Sequence, residues 1–341
     1  MAAVVCGATG RADTIAAMAL GEFDLIARYF KRPARRAVLG VGDDCALLAP
    51  TPGMQLAVSC DMLVEGRHFL STVPPRWLGH KALAVNLSDL AACGAQPLAF
   101  TLALALPRID EPFLQGFAHG LFELAEAHHI ELIGGDTTAG PLNICITVLG
   151  QVPPGQALRR NGARVGDRIW VSHRPGQGLG DARLALEAFR GRLQLDSAGF
   201  EQARLAMEQP QPRVGLGLAL RGVANSAIDL SDGLVGDLGH VLTASAVGAC
   251  VDVDSVPCSA LLRAHGMALV RECSLAGGDD YELLFTAAQS HDAAVLAAAA
   301  GVGLAVSRIG RIEAQPGLRW SQSDGQLLAL DLRGFDHFGS G

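Results

Sequence analysis

"PPGQALRRNGARVGDR" (residues 153–168) divides this chain. It is rich in Pro, Gly and Arg, lacks apolar periodicity, and has the composition of a boundary between folded units. On its amino-terminal side, "EFDLIARYFK" (22–31) sets Phe23, Ile26, Ala27 and Phe30 on one helical face. "QLAVSCD" (55–61) reads as a strand ending at Asp61, and "PRWLGHKALAVNLSDLAACGA" (75–95) as a helix with Pro near its start and Gly near its end. A strand (98–106) and an amphipathic helix (110–128) follow. "ELIGGDTTAGPLNICITV" (131–148) reads as two strands joined by a polar, Gly-rich turn, so this half is expected to be largely antiparallel. After the boundary a fresh alternation begins: "IWVS", a helix over 180–190, "SAIDLS", a helix over 232–245, "ACVDVD" and "YELLFTA". Residues 293–306 read as a core helix turning into a strand. The fold class expected is α/β (α+β), with domains at 18–153 and 154–341 and a disordered extension at 1–17. A length of 341 residues suits two domains of roughly 150 each.

Half the residues are hydrophobic and 18% are charged, a globular composition. The net charge of −7 argues against a nucleic-acid partner, because phosphate backbones are bound through Lys and Arg clusters. It permits phosphate ligands where a metal ion supplies positive charge. Only two lysines occur, Lys31 and Lys81, a usage bias with no functional reading. Eight cysteines are scattered without a C-x-x-C pair, the pattern of reduced thiols in a cytoplasmic protein. No apolar run reaches the roughly 20 residues that span a bilayer, and the amino terminus lacks a basic n-region.

The chemistry lies in the placement of aspartates. Asp43 and Asp44 in "GVGDDCALL", Asp61, Asp89 in "AVNLSDLAA", Asp136 in "LIGGDTTAG", Asp229 and Asp232 in "AIDLSDGLVGDL", and Asp279 and Asp280 in "LAGGDDYELLF" sit at strand ends or Gly turns among hydrophobes. Each alone fits a turn or a helix cap. Asp89 inside an apolar helical run and Asp229 inside a strand do not, since a buried unpaired charge costs several kcal/mol. Two carboxylates about 4 Å apart repel by roughly 4 kcal/mol at an effective dielectric of 20, so such a cluster calls for cations. All-oxygen ligands suit Mg²⁺ or Ca²⁺; without an EF-hand loop, Mg²⁺ serving a phosphate substrate is the expectation. A Walker A loop and the protein-kinase motifs are missing. Asp237 is read as a solvated charge on a helix surface.

"GEFDLIARYF", "VGDDCALL", "CDMLVEGRHF", "KALAVNLSDLAACGAQP", "LIGGDTTAGP", "RRNGARVGD", "AIDLSDGL", "GGDDYELLF" and the closing "GFDHF" occur in the order found in the thiamine-monophosphate kinase family of the AIR-synthetase-like superfamily. The resemblance covers residues 21–338. It implies two AIR-synthetase-like domains: an amino-terminal ATP- and Mg²⁺-binding domain whose sheet pairs across a homodimer, and a carboxy-terminal α/β domain. The activity implied is ATP-dependent phosphorylation of thiamine monophosphate to thiamine diphosphate, the last step to that cofactor.

Position by position, the resemblance implies metal ligation by Asp44, Ser59, Cys60, Asp61, Asp89, Asp136, Asp229 and Asp232. It implies ATP contacts from Gly135, Arg160 and Ser231, and substrate contacts from His68, Asp279 and Phe335. Two positions depart from the family pattern: Cys60 replaces a common threonine, leaving only its backbone carbonyl as a ligand, and Asp279 replaces a common glutamate with a shorter reach. The acceptor phosphate is already largely dianionic at pH 7, with a second pKa of about 6, so no general base is assigned. Direct in-line transfer assisted by several Mg²⁺ ions and Arg160 is expected. The alternatives are another ATP-dependent synthetase of the superfamily, a metal-dependent phosphohydrolase, and a catalytically silent scaffold.

Overall fold

The computed structural model describes residues 21–332 and residue 334; the expected extension at 1–17 lies outside the described residues. A short helix α1 (Glu22–Leu25) runs on into a π-helical turn (Ile26–Phe30). The two-stranded ribbon of β1 (Ala37–Leu39) and β2 (Leu47–Leu48) follows. Then come β3 (Gln55–Val64), α2 (Pro75–Ala92), β4 (Gln96–Leu106), α3 (Glu111–Ala127), β5 (Glu131–Ala139) and β6 (Asn143–Val152). Pro75 opens α2, where a missing N–H costs nothing, and the Asp110 carboxylate caps α3 by accepting from Phe113 N–H at 3.1 Å.

Sheet order is β3-β6-β4-β5. The strands read from "ELIGGDTTAGPLNICITV" both form, but they do not pair with each other. β5 lies parallel to β4, while β6 runs antiparallel to both β3 and β4. The cause is α3, which carries the chain from β4 to a parallel neighbour as a βαβ unit, so β6 must return past β4 to find an open edge.

Side chains alternate across β3. Leu63 is buried on the helix-covered face, whereas Leu56, Val58 and Met62 on the other are 48%, 62% and 53% exposed. α2 and α3 cover the inner face with Leu83, Leu87, Leu90, Phe117 and Leu121. They approach so closely that a Cβ on Gly120 would strike the backbone carbonyl of Arg76. α2 has no polar stripe because it is buried on nearly every side, from Leu78 to Ala91.

The second half contains β7 (Arg168–His173), α4 (Asp181–Phe189), α5 (Ser197–Glu208), α6 (Val214–Ala219), β8 (Ser226–Asp229), α7 (Leu234–Ser245) and β9 (Gly248–Asp252). It continues with α8 (Ala260–Arg263), α9 (Met267–Ala276), β10 (Leu283–Ala287), α10 (Asp292–Gly301), β11 (Ala305–Glu313), β12 (Gly317–Ser321) and β13 (Leu327–Leu328). Seven strands join in the order β13-β12-β9-β11-β7-β10-β8, and only β12 and β9 pair in parallel. β10 is buried throughout its length.

Alternation sends Ile169 and Val171 toward α7, while Trp170 and Phe285 turn the other way and join the core of the first half. One apolar core therefore spans the junction, drawing Leu83, Leu87, Leu216, Ala227 and Phe285 into a single cluster. Truncating Leu87, which has no exposed surface, should cost about 2–5 kcal/mol. The helix expected inside 293–306 forms, but it lies at the surface: only Val295 and Ala299 are buried, and Leu296 is 51% exposed.

Candidate functional site

The carboxylates meet where α2 crosses between the two halves. β3 turns Ser59 and Asp61 toward α2, on the face opposite Cys60 and Met62. Ser59 Oγ donates to the Asp89 carboxylate, and Asp61 N–H donates to Asn86 Oδ1 at 3.1 Å. From the second half, β8 ends at Asp229, whose Oδ2 accepts from Ser88 Oγ at 2.7 Å. The chain then turns through Ser231 and Asp232 before α7. Asp232 N–H donates to Asp237 Oδ2 at 3.0 Å, which ties the turn to the first turn of α7.

These acids repel one another and are short of water. Burial first, then the charges of Asp89, Asp229 and Asp232, push Asp61 up to about 7. Burial and Asp89 push Asp229 up to about 7 against the opposing Ser88 hydroxyl and Arg160. Burial also raises Asp89, while the Ser59 hydroxyl and Arg160 pull it down. Asp237 rises to about 8 through burial and the charge of Asp229. Arg160 stands at the open side, where it lines a cleft of about 510 Å³ together with Ser59, Asp89, Asn161 and Asp229.

The other expected residues are placed differently. Cys60 faces outward, its Sγ 3.4 Å from that of Cys145 on β6. Asp44 is exposed, and its N–H bonds to the Asp43 carboxylate at 2.8 Å. Asp136 sits on β5 opposite Ala103 and lines a small recess with Ile26, Phe30 and Gly134. Gly135 beside it has φ +146° and packs against the Leu102 backbone, where no Cβ fits. His68 lies in the turn after β3, its Nδ1 accepting from Val64 N–H at 3.0 Å. Asp279 borders the acidic group: its N–H bonds to Ser231 O at 2.8 Å. Phe335 lies outside the described residues, although Gly334 packs against Gly236 and the Asp232 carbonyl.

Among the described residues, no three His, Cys, Asp or Glu side chains already close around one point as a metal cage. The donor set still fits a hard divalent cation. Asp61, Asp89 and Asp229 are oxygen donors whose carboxyls burial pushes above the usual range, with neighbouring carboxylates adding to the rise at Asp61 and Asp229, and a cation would compensate their charge.

Composition and motifs do not single out Asn86 or Ser88, and the reading of Asp237 as a solvated charge is overturned, since it is 2% exposed. A signal was present: with Leu234, Leu238 and Val241 it forms an i, i+3, i+4, i+7 stripe, which is the buried face. Asn86 and Ser88 are buried polar residues inside an apolar helix, and their partners are visible only in three dimensions.

The fold is that of the AIR synthase related proteins. The model for "AIR synthase related protein, N-terminal domain" matches residues 42–152, and that for the C-terminal domain matches 164–321. Thiamine-monophosphate kinase of Salmonella typhimurium is 46% identical over 332 residues, covering 94% of this chain and 99% of the relative. The crystal structure of thiamine-monophosphate kinase from Stenotrophomonas maltophilia K279a superposes with a TM-score of 0.80 at 47% identity, covering 89% of this chain and 95% of that one. A complex described as "AaThiL complexed with AMPPCP and TMP" gives a TM-score of 0.73 at 27% identity, covering 85% and 89%. This chain belongs to the thiamine-monophosphate kinase family.

Proposed function

We propose that the protein transfers the terminal phosphoryl group of ATP directly to the phosphate of thiamine monophosphate, giving thiamine diphosphate and ADP. The observation that carries this reading is the convergence of Asp61 and Asp89 from one half with Asp229 from the other, beside Arg160 on an open cleft. The related complex with AMPPCP and TMP supports the pair of substrates.

The task is to bring two polyanions together, and it needs no strong base because the acceptor is already ionised. Arg160 lowers the electrostatic barrier from the cleft side, and Ser88, Ser59 and Asn86 fix the acids in place. Magnesium held by Asp61, Asp89 and Asp229, with Ser59, Asp232, Asp44, Asp136 and the Cys60 carbonyl completing the set, would supply the positive charge that phosphoryl transfer requires. His68, Asp279 and Phe335 are the proposed substrate contacts; Gly135 and Ser231 join Arg160 on ATP.

We assign the divisions 18–153 and 154–341 as domains, which the two family models support by stopping on either side of 153–163. A homodimer is part of the same reading, and strand order supports it. β3 and β5 are three spacings apart at opposite edges of their sheet, about 14 Å at about 4.8 Å per strand. Asp136 thus cannot reach Asp61 within one subunit. It can do so if a partner's β5 lies beside β3. No helix among the described residues is long and apolar enough to cross a membrane, and the cysteine pattern supports a cytoplasmic location.

Incubation with MgATP and thiamine monophosphate should yield thiamine diphosphate and ADP in equal amounts. Binding of thiamine monophosphate without product would leave the family's fold without its activity. An isolable phosphoprotein formed from labelled ATP would refute direct transfer.

A further inference from the structure

Lys81 is a cation in the middle of an apolar helix, and its side chain is 1% exposed. Its Nζ bonds Asp279 Oδ2 at 2.6 Å, so a residue of α2 in the first half grips a loop of the second. Asp279 itself is 34% exposed, which leaves part of its carboxylate open. Ser88, which donates to Asp229, lies two helical turns beyond Lys81 on the same side of α2. One helix face thereby holds both the nucleotide-side acid and the substrate-side acid.

The loop that carries Asp279 does not rest in a relaxed backbone. Gly278, Asp279 and Tyr281 have φ of 71°, 64° and 52°. For Asp and Tyr this left-handed region is costly, and it persists only where surrounding bonds enforce it. Those bonds are Asp279 N–H to Ser231 O and Tyr281 N–H to Leu230 O, each 2.8 Å, together with the Lys81 pair. Asp280 adds an anchor beneath, accepting from Gly180 N–H at 2.8 Å. The loop is stitched to the turn bearing Ser231 and Asp232.

We infer that Lys81 is a positioning residue for the substrate: by fixing Asp279 Oδ2 it sets the direction of the open part of that carboxylate toward the organic portion of thiamine monophosphate. The inference rests on the proposed reading of Asp279 as a substrate contact. A side chain one methylene shorter than glutamate has less freedom to find its partner, so its anchoring matters more.

The test combines kinetics with amide hydrogen exchange in the ligand-free protein. Lys81→Met should raise KM for thiamine monophosphate about 10- to 100-fold, the change expected on losing a charge-assisted hydrogen bond. KM for ATP should stay within about twofold, and the Asp279 and Tyr281 amides should exchange faster. The double variant Lys81→Met/Asp279→Asn removes both charges of the pair, and its KM should match that of Asp279→Asn alone. That comparison stands even where Lys81→Met folds poorly. An unchanged KM for thiamine monophosphate, unchanged exchange at both amides, or a double variant that multiplies the single effects would overturn the inference. A wild-type protein making no thiamine diphosphate would overturn the proposed function instead, and the exchange measurement would still decide the role of Lys81.

Discussion

Ser88 on α2 donates its hydroxyl hydrogen to Asp229 at the end of β8, 2.7 Å away and 141 residues on in the chain. Both residues are buried, and the bond crosses from the first half of the protein to the second. It is the chief neutral donor opposing the burial and repulsion that Asp229 experiences. Removing it as Ser88→Ala leaves a buried acid without its hydroxyl partner. The variant should lose about 1–3 kcal/mol of stability in chemical denaturation, and an unchanged midpoint would show that Asp229 finds another donor.

Asp89→Ala and Asp229→Ala should each abolish formation of thiamine diphosphate while circular dichroism stays native. Each variant gives up one hydroxyl–carboxylate hydrogen bond, Ser59 to Asp89 or Ser88 to Asp229, a loss of about 1–3 kcal/mol that leaves the rest of the core intact. Turnover near the wild-type rate in either variant would exclude that residue as a metal ligand.

The acids also fix a pH dependence. Asp61 and Asp229 are raised to about 7 in the folded protein, against about 3.9 for an unfolded aspartate. Their neutral forms are favoured by folding, so this contribution is fully present below about pH 4 and is lost as pH rises through about 7. A bound cation reverses the preference by favouring the carboxylates. The rise in Tm on adding Mg²⁺ should accordingly be larger at pH 8 than at pH 5.5, with protons released on binding. Equal shifts at the two pH values would mean that these acids do not hold the ion.

Strand order predicts a complementation result. If Asp136 serves the site of the partner subunit, mixing Asp61→Asn with Asp136→Asn and allowing subunits to exchange gives heterodimers with one intact site. Random reassortment makes half the dimers mixed, each with one working site of two, so about a quarter of wild-type activity should return. Activity that remains at the level of the separate variants after verified exchange would place both aspartates in one subunit's site.

Local sequence determined much of this protein. The apolar periodicity of 75–95 and the strand ending at Asp229 are visible because helix and strand repeats are written over a few neighbouring residues. The Pro-, Gly- and Arg-rich composition of 153–168 is equally local, as is the oddity of Asp89 and Asp229 among hydrophobes. Tertiary structure decided the rest. Lys81, Asn86 and Ser88 gain their meaning from Asp279, Asp61 and Asp229, and nothing near them in the chain announces those partners. β5 and β6 look like a hairpin locally, yet the α3 crossover sends β5 beside β4, which puts Asp136 at the edge far from Asp61. The sequence marks which side chains are too costly to bury alone; only the long-range packing of α2 between the two halves supplies what compensates them.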